Sequence, residues 1–287
     1  MKSIRLATRG SLLALTQSGH VADAIRERTG VVVEIVVVRT RGDDVTDRPL
    51  AQVGGKGLFT KEIEEALLAG DADIAVHSMK DMPTEQPEGL VFGAVPRRED
   101  PRDVLIGANL ADLRPGAVVG TGSARRVVQL RALRPDLDLR GIRGNVDTRI
   151  QKVVDGEFDA IVLAAAGVRR LGRASEISAM LDVDEMIPAV GQGALAVQAR
   201  ARDEVVLEVL SHIHDPEAAL CVEAERAFLR AISGGCSVPA ACHAQLLDDR
   251  LIVSGMFAGD HGLRRARMDG PRTDAVRLGE SVAGAVR

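Results

Sequence analysis

Aromatic side chains are nearly missing from this chain: its 287 residues include no Trp, no Tyr and five Phe. Proteins that grip single-stranded nucleic acid stack bases on such rings, so that class of function is disfavoured. A net charge of −4 adds no general attraction to a phosphate backbone. Cysteine is scarce and odd in number (Cys221, Cys236, Cys242), which excludes a complete disulfide framework. Even with His243 beside the last cysteine, the spacing fits no zinc pattern, and no metal is expected. No apolar run reaches the roughly 20 residues that span a bilayer, so no membrane partner is expected. The first residues enter a strand-like alternation without the apolar stretch and cleavage site of a leader, so a cytoplasmic location is expected. Lysine is the last shortage, with five Lys against 32 Arg. Codon bias produces such an excess, and so does recognition of carboxylate or phosphate by bidentate guanidinium groups. Position in the chain has to separate the two.

The length allows two domains or three small ones. Short apolar runs at Ile4–Ala7, Val31–Val38, Ile74–His77, Val118–Gly120 and Ala160–Ala164 read as strands. Amphipathic segments at Leu12–Arg28, Thr60–Ala69, Ala124–Leu133 and Val146–Asp155 read as helices between them. That alternation predicts parallel sheets with crossover helices. Gly/Pro-rich connections at Pro83–Pro101 and Pro188–Gly193 are candidate domain crossings. After Asp203 the texture changes. Helices are expected over Glu204–Ile213 and from Pro216, capped by Asp215, to about Ile232. A small α+β unit should follow, with strands near His243–Leu247 and Leu251–Phe257 and a last helix from about Thr273.

The most informative stretch is D-A-D-I-A-V-H-S-M-K-D-M-P-T, residues 71–84. A buried strand here runs straight into Lys80 and Asp81, placing an acid and a cation where α/β proteins bind ligands, at a strand's carboxyl end. A solvated turn is the competing reading. Residues 53–59, V-G-G-K-G-L-F, are glycine-rich, but their spacing is wrong for a nucleotide loop and Gly57 stands where a magnesium-binding hydroxyl would be. A glycine-hinged lid is the better functional reading. In G-T-G-S-A-R-R, residues 120–126, Arg125 replaces the last glycine of a dinucleotide fingerprint. What remains is an anion site made of Thr121, Ser123, helix amides, Arg125 and Arg126. Arg9 beside Ser11, Arg143 and Arg149, and Arg169 with Arg170 are further guanidinium groups expected at loop or helix starts. Such a set points to a ligand with many carboxylates, because buried arginines need partners. Among the cysteines, Cys236 in S-G-G-C-S-V-P is the one placed to react, whereas Cys221 and Cys242 read as core residues.

These blocks, together with L-A-T-R-G-S, T-R-G-D, R-E-D-P-R-D, R-G-N-V-D-T-R and A-V-G-Q-G-A, resemble the porphobilinogen deaminase family from near the N-terminus to about Ala241. The resemblance implies an α/β fold of three domains. The first two (1–95 with 194–213, and 96–193) would look like type II periplasmic-binding-protein halves flanking an active-site cleft, and 214–287 would form a small α+β domain carrying the cysteine. It implies stepwise head-to-tail condensation of four porphobilinogen molecules with loss of ammonia, and final hydrolysis to hydroxymethylbilane. The implied cofactor is a dipyrromethane joined by a thioether to Cys236. Asp81 matches the family's catalytic acid. Arg9, Ser11, Lys56, Ser78, Lys80, Thr121, Ser123, Arg125, Arg126, Arg143, Arg149, Arg170 and Gln192 match positions that bind cofactor and substrate. Gly54, Gly55, Gly57 and Phe59 match the lid. Porphobilinogen carries acetate and propionate arms, which gives the arginines a ligand. The chain departs from the family pattern at Gly10, Leu12, Gly122 and Asp147, the last adding a negative charge between Arg143 and Arg149. The expected state is a monomer with no nucleic-acid partner. The competing function is a two-lobed small-anion binding module, which would have no use for Asp81 and Cys236 together.

Overall fold

The structure, a computed structural model, describes residues 3–40, 60–232 and 238–287. Two compact units emerge: Met1–Arg98 with Ala194–Ala219, and Glu99–Gly193 with Leu220–Arg287. In chain order the first unit begins with β1 (Ser3–Thr8), α1 (Leu12–Thr29), β2 (Val32–Val37), α2 (Lys61–Ala69), β3 (Ile74–Ser78) and β4 (Leu90–Ala94). The second unit supplies β5 (Asp103–Ile106), β6 (Val118–Gly120), α3 (Ala124–Leu133), β7 (Asp138–Arg140), α4 (Val146–Val154), β8 (Ala160–Ala164), α5 (Ala165–Arg170) and β9 (Ala179–Leu181). The chain then returns to the first unit for β10 (Leu195–Arg200) and α6 (Glu204–Ser211). It ends with α7 (Pro216–Ala231), the strands β11 (Ala240–Leu247), β12 (Arg250–Gly259) and β13 (Gly262–Pro271), and α8 (Ala275–Val286).

The first sheet has the order β2-β1-β3-β10-β4, and the second has β7-β6-β8-β5-β9. In each, four strands run in one direction and the remaining one, β10 or β5, lies antiparallel to both its neighbours. The two sheets therefore share one design. The odd strand of the first sheet, β10, comes from beyond the chain segment that builds the second, whereas β5 opens its own unit. Both faces of these sheets are packed, which accounts for the near-continuous apolar runs. In the first unit, Ile4, Leu6, Ile74, Val76, Leu195 and Val197 join α1 residues Val21 and Ile25 in one cluster. On the opposite face Ala7 and Ala75 meet Ile63 and Leu67 of α2. The Ser11 hydroxyl caps α1 by accepting the Ala14 N–H at 3.3 Å, and Gly30, at φ 73°, ends the helix. The third sheet is an antiparallel meander, β11-β12-β13, whose core includes Phe228 of α7, Val253 and Val282 of α8.

The helices other than α5, and the strands β1, β2, β3, β6, β8, β11 and β12, fall where the sequence places them, to within a few residues at the ends, whereas α5 went unread. Six strands went unread: β4, β5, β7, β9, β10 and β13. The sequences of β5 and β10 contain a fully buried Asp103 and Gln198, which break an apolar run. Arg264, Arg265 and Arg267 give β13 the look of a polar loop, although it pairs with β12 along its whole length.

Where the chain leaves the second unit, Gly193 has φ +88°, and a Cβ there would lie 2.3 Å from the Glu99 carbonyl oxygen. Gly193→Ala should therefore cost about 2–4 kcal/mol of unfolding free energy in urea titration, from the backbone conformation and the clash combined.

Candidate active site

The strand exit in the first unit leaves a strand that is buried on both faces. Ile74, Ala75, Val76 and His77 are buried in β3, and Ser78 is held through its hydroxyl to the side-chain amide of Gln17 on α1, at 3.0 Å. A single 3-10 turn follows over Met79–Asp81. Met79 and Met82 are both 1% exposed, and the Met82 N–H donates to the Met79 carbonyl at 3.1 Å. The two methionines pin the turn at both ends and leave Asp81 at the surface. Asp81 and Ser78 line a cavity of about 80 Å³ with Arg9, Ser11, Gln17, Thr60 and His77. That exceeds the roughly 10–15 Å³ that one water needs. The exit of β3 and the start of α1 thus bring together Arg9, Ser11, Ser78 and Asp81, four residues expected from the sequence. His77 and Gln17 join them unannounced. Burial pushes the His77 imidazole down to about 4; the Gln198 side chain opposes that shift and the charge of Arg9 adds to it. Its Nε2 is buried without a hydrogen-bond partner among the described residues.

In the second unit the arginine set is organised by a residue that the sequence reading passed over. Asp103, at the start of β5, is 0% exposed. One of its oxygens accepts Arg125 Nη1 at 2.6 Å; the other accepts Arg126 Nη2 at 2.7 Å and the Gln192 side-chain amide at 2.9 Å. Burial alone would raise the Asp103 carboxyl, but the charges and hydrogen bonds of the two arginines hold it far below the usual carboxylate range. Backbone carbonyls complete the arrangement, Ile187 accepting from Arg125 at 2.8 Å and Val162 from Arg126 at 2.9 Å. Arg125 and Arg126 lie in the first turn of α3, behind Thr121 and Ser123. The Thr121 hydroxyl accepts the Ser123 N–H at 3.3 Å, and Ser123 makes no side-chain cap to the helix.

Arg149 lies near Arg126 and Arg143. Burial lowers its guanidinium pKa, and the charges of those two arginines lower it further. Its Nε donates to the Gly144 carbonyl at 2.7 Å. Asp147 does not neutralise this group: its carboxylate pairs with Arg173 Nη1 at 2.9 Å. Not every arginine stands at a helix start. Arg149 is the fourth residue of α4, near its start, whereas Arg169 and Arg170 are in the last turn of α5. There a cation complements the helix dipole. Arg169 pairs with Glu99 and Asp100, and Arg170 Nη2 donates to the Gly193 carbonyl at 2.8 Å. Lys80 belongs to the 3-10 turn beside Asp81. Lys56, Gly54, Gly55, Gly57, Phe59 and Cys236 lie outside the described residues.

Two family models match the chain: the dipyromethane cofactor binding domain of porphobilinogen deaminase over residues 4–208, and the porphobilinogen deaminase C-terminal domain over 219–287. The chain is 51% identical over 285 residues to the porphobilinogen deaminase of Syntrophobacter fumaroxidans, covering 97% of this chain and 92% of that one. It is 48% identical to that of Geobacter metallireducens, covering 98% and 90%. The chain belongs to the porphobilinogen deaminase family. Among solved structures it is similar to immunogenic lipoprotein A of Vibrio vulnificus (10% identity, TM-score 0.45, 77% of this chain and 99% of that one). A second is the Salmonella typhimurium periplasmic binding protein with high arginine specificity (12%, TM-score 0.41, 76% and 94%). No described helix is long and apolar enough to cross a membrane.

Removing the Asp103 charge strands two buried guanidinium groups. Asp103→Asn should lower the unfolding free energy by about 3–5 kcal/mol, seen as a reduced urea midpoint. His77 makes the opposite demand on protons. Its folded pKa of about 4 lies below the unfolded value of 6.5, so its contribution is complete above 6.5 and is lost as pH falls toward 4. Over that window the stability of the wild type should decline more than that of His77→Gln, by an amount on the order of 3 kcal/mol.

Proposed function

We propose that the chain joins four porphobilinogen molecules head to tail, releasing ammonia at each step, and hydrolyses the product to hydroxymethylbilane. The observation that carries this reading is the surplus of cation in the second unit. Arg149 lies close enough to Arg126 and Arg143 for their charges to lower its guanidinium pKa, and Asp103, the carboxylate bonded to Arg126, is already shared with Arg125. Burial makes such a surplus costly unless anions arrive, and each pyrrole of the substrate brings two carboxylates. The same donors fit a dipyrromethane, which Cys236 would hold as a thioether and which supplies, when bound, the pyrrole carbon that begins the chain.

The remaining roles belong to this chain's own groups. Arg125, Arg126, Arg143, Arg149 and Arg170, with Thr121, Ser123 and Gln192, bind carboxylates or orient the groups that do. Arg9, Ser11, Ser78 and Lys80 anchor substrate beside Asp81, and Lys56 and the glycines at 54, 55 and 57 with Phe59 cover it. Asp81 gives a proton to the departing amine. As a carboxylate it then stabilises the positive charge that develops on the pyrrole nitrogens. His77, neutral at working pH, adds no charge to oppose that cation. The division into 1–95 with 194–213, 96–193 and 214–287, a cytoplasmic location and a monomeric state complete the proposal. The third of those segments contains the whole β11-β12-β13 meander.

Intact-mass measurement tests the assignment. Wild-type protein should carry an adduct of two linked pyrroles that is missing from Cys236→Ala; a folded, unmodified wild type that leaves porphobilinogen unconsumed would overturn it. Asp81→Asn should keep the adduct while turnover falls by about 10²–10⁴-fold. Turnover close to wild type would remove Asp81 from the chemistry.

A further inference from the structure

Gln129 is 0% exposed, one turn after Arg125 on α3, and nothing in the reaction uses it directly. Its side-chain amide closes on both backbone groups of Ile187. The Ile187 N–H donates to Gln129 Oε1 at 2.9 Å, and Gln129 Nε2 donates to the Ile187 carbonyl at 3.1 Å. That same carbonyl accepts Arg125 Nη1 at 2.8 Å, opposite the bond from Nη1 to Asp103. The guanidinium is therefore held from two sides, by a carboxylate and by a carbonyl that Gln129 keeps in place.

Ile187 is gripped by the C-terminal sheet as well. Its side chain shares a buried cluster with Ala241 of β11 and Met256 of β12, with Leu263 of β13 packed against it. Arg265 of β13 donates to the backbone carbonyls of Asp184 and Glu185 at 2.7 and 2.8 Å, and reaches Gln129 Oε1 at 3.4 Å. Arg267 adds an ion pair to Asp184 at 3.2 Å. Backbone, side chain and preceding loop of Ile187 are each fixed by a different partner.

We propose that Gln129 is a positioning residue for Arg125, and that the C-terminal sheet maintains this through Arg265 and the packing of Ile187. The proposal rests on Arg125 as a carboxylate-binding residue. It gives the last domain a part in substrate affinity in addition to carrying the cysteine. Loss of Gln129 leaves Asp103 and its charge intact, so the guanidinium stays in the site but loses its aim.

A double-mutant cycle decides the matter, using purified protein loaded with its cofactor. The readouts are the fraction of chains carrying the two-pyrrole adduct by intact mass, and kcat and KM for porphobilinogen per loaded chain. Gln129→Leu should raise KM about 5–20-fold with kcat within about twofold, and Arg265→Ala, an exposed position, should raise it about 2–4-fold. In an Arg125→Lys background neither change should add more than about 1.5-fold, because both act through Arg125. A folded Gln129→Leu with unchanged KM overturns the proposal, and so do effects that multiply independently of Arg125→Lys. A merely structural glutamine would lower the adduct fraction and leave KM alone. Should Gln129→Leu fail to fold, the Arg265→Ala cycle decides by the same criteria. Arg125→Lys with KM and adduct fraction both at wild-type values removes the carboxylate-binding reading itself, and the proposal with it.

Discussion

One buried carboxylate, that of Asp103, sets the terms for the second unit. Adjacent residues on a helix project about 100° apart, so Arg125 and Arg126 would ordinarily diverge. Here both guanidinium groups turn to the same acid. That is feasible only when the first turn of α3 sits directly against the start of β5, and when Gln192 from the loop before β10 closes over the remaining lone pair. Strand, helix and loop are thereby fixed to one point. Two cations against one anion leave a net positive charge inside the fold, and the carbonyls of Ile187 and Val162 supply only partial compensation. The protein tolerates that imbalance, and adds Arg149 to it, in the region proposed to bind the carboxylates of substrate and cofactor.

The first unit solves a different problem. An acid that exchanges protons has to remain solvated, yet it has to be held still. The 3-10 turn meets both conditions by burying Met79 and Met82 on either side of Lys80 and Asp81, so backbone rigidity comes from apolar packing and leaves the carboxylate uncommitted to a structural ion pair in the manner of Asp103. Next to it, a neutral histidine keeps the wall of the cavity polar and uncharged.

Much of this was legible in the residues. Apolar runs located β1, β3, β6 and β8 because strands buried on both faces must be apolar throughout. The chemistry-bearing blocks stood out because Lys80, Asp81, Arg125 and Arg126 interrupt those runs at their ends. Asp103 escaped notice for the same reason it matters: a lone acid heading a four-residue strand looks like part of a charged loop until its partners, 22 and 23 residues on, are seen to share it. Gln129 has no sequence signal at all, since its role depends on the backbone of Ile187, 58 residues away. The helix positions of Arg169 and Arg170 were misjudged because arginine favours helix ends as readily as their starts. The strand β13 was hidden by its outward arginines, two of which turn out to fasten the C-terminal sheet.

The late strand of the first α/β sheet has a consequence for how the molecule comes into being. During synthesis β1, β2 and β3 emerge early, but the partner of β3's outer edge is β10, and β4 pairs with nothing else. The whole of Glu99–Gly193 has to leave the ribosome before that edge can close. The second sheet has no such wait, because β5 precedes the strands it joins. The nascent chain therefore completes its arginine-rich half first, while an apolar half-sheet stands open beside it, exposed to association with other chains for most of its time in translation.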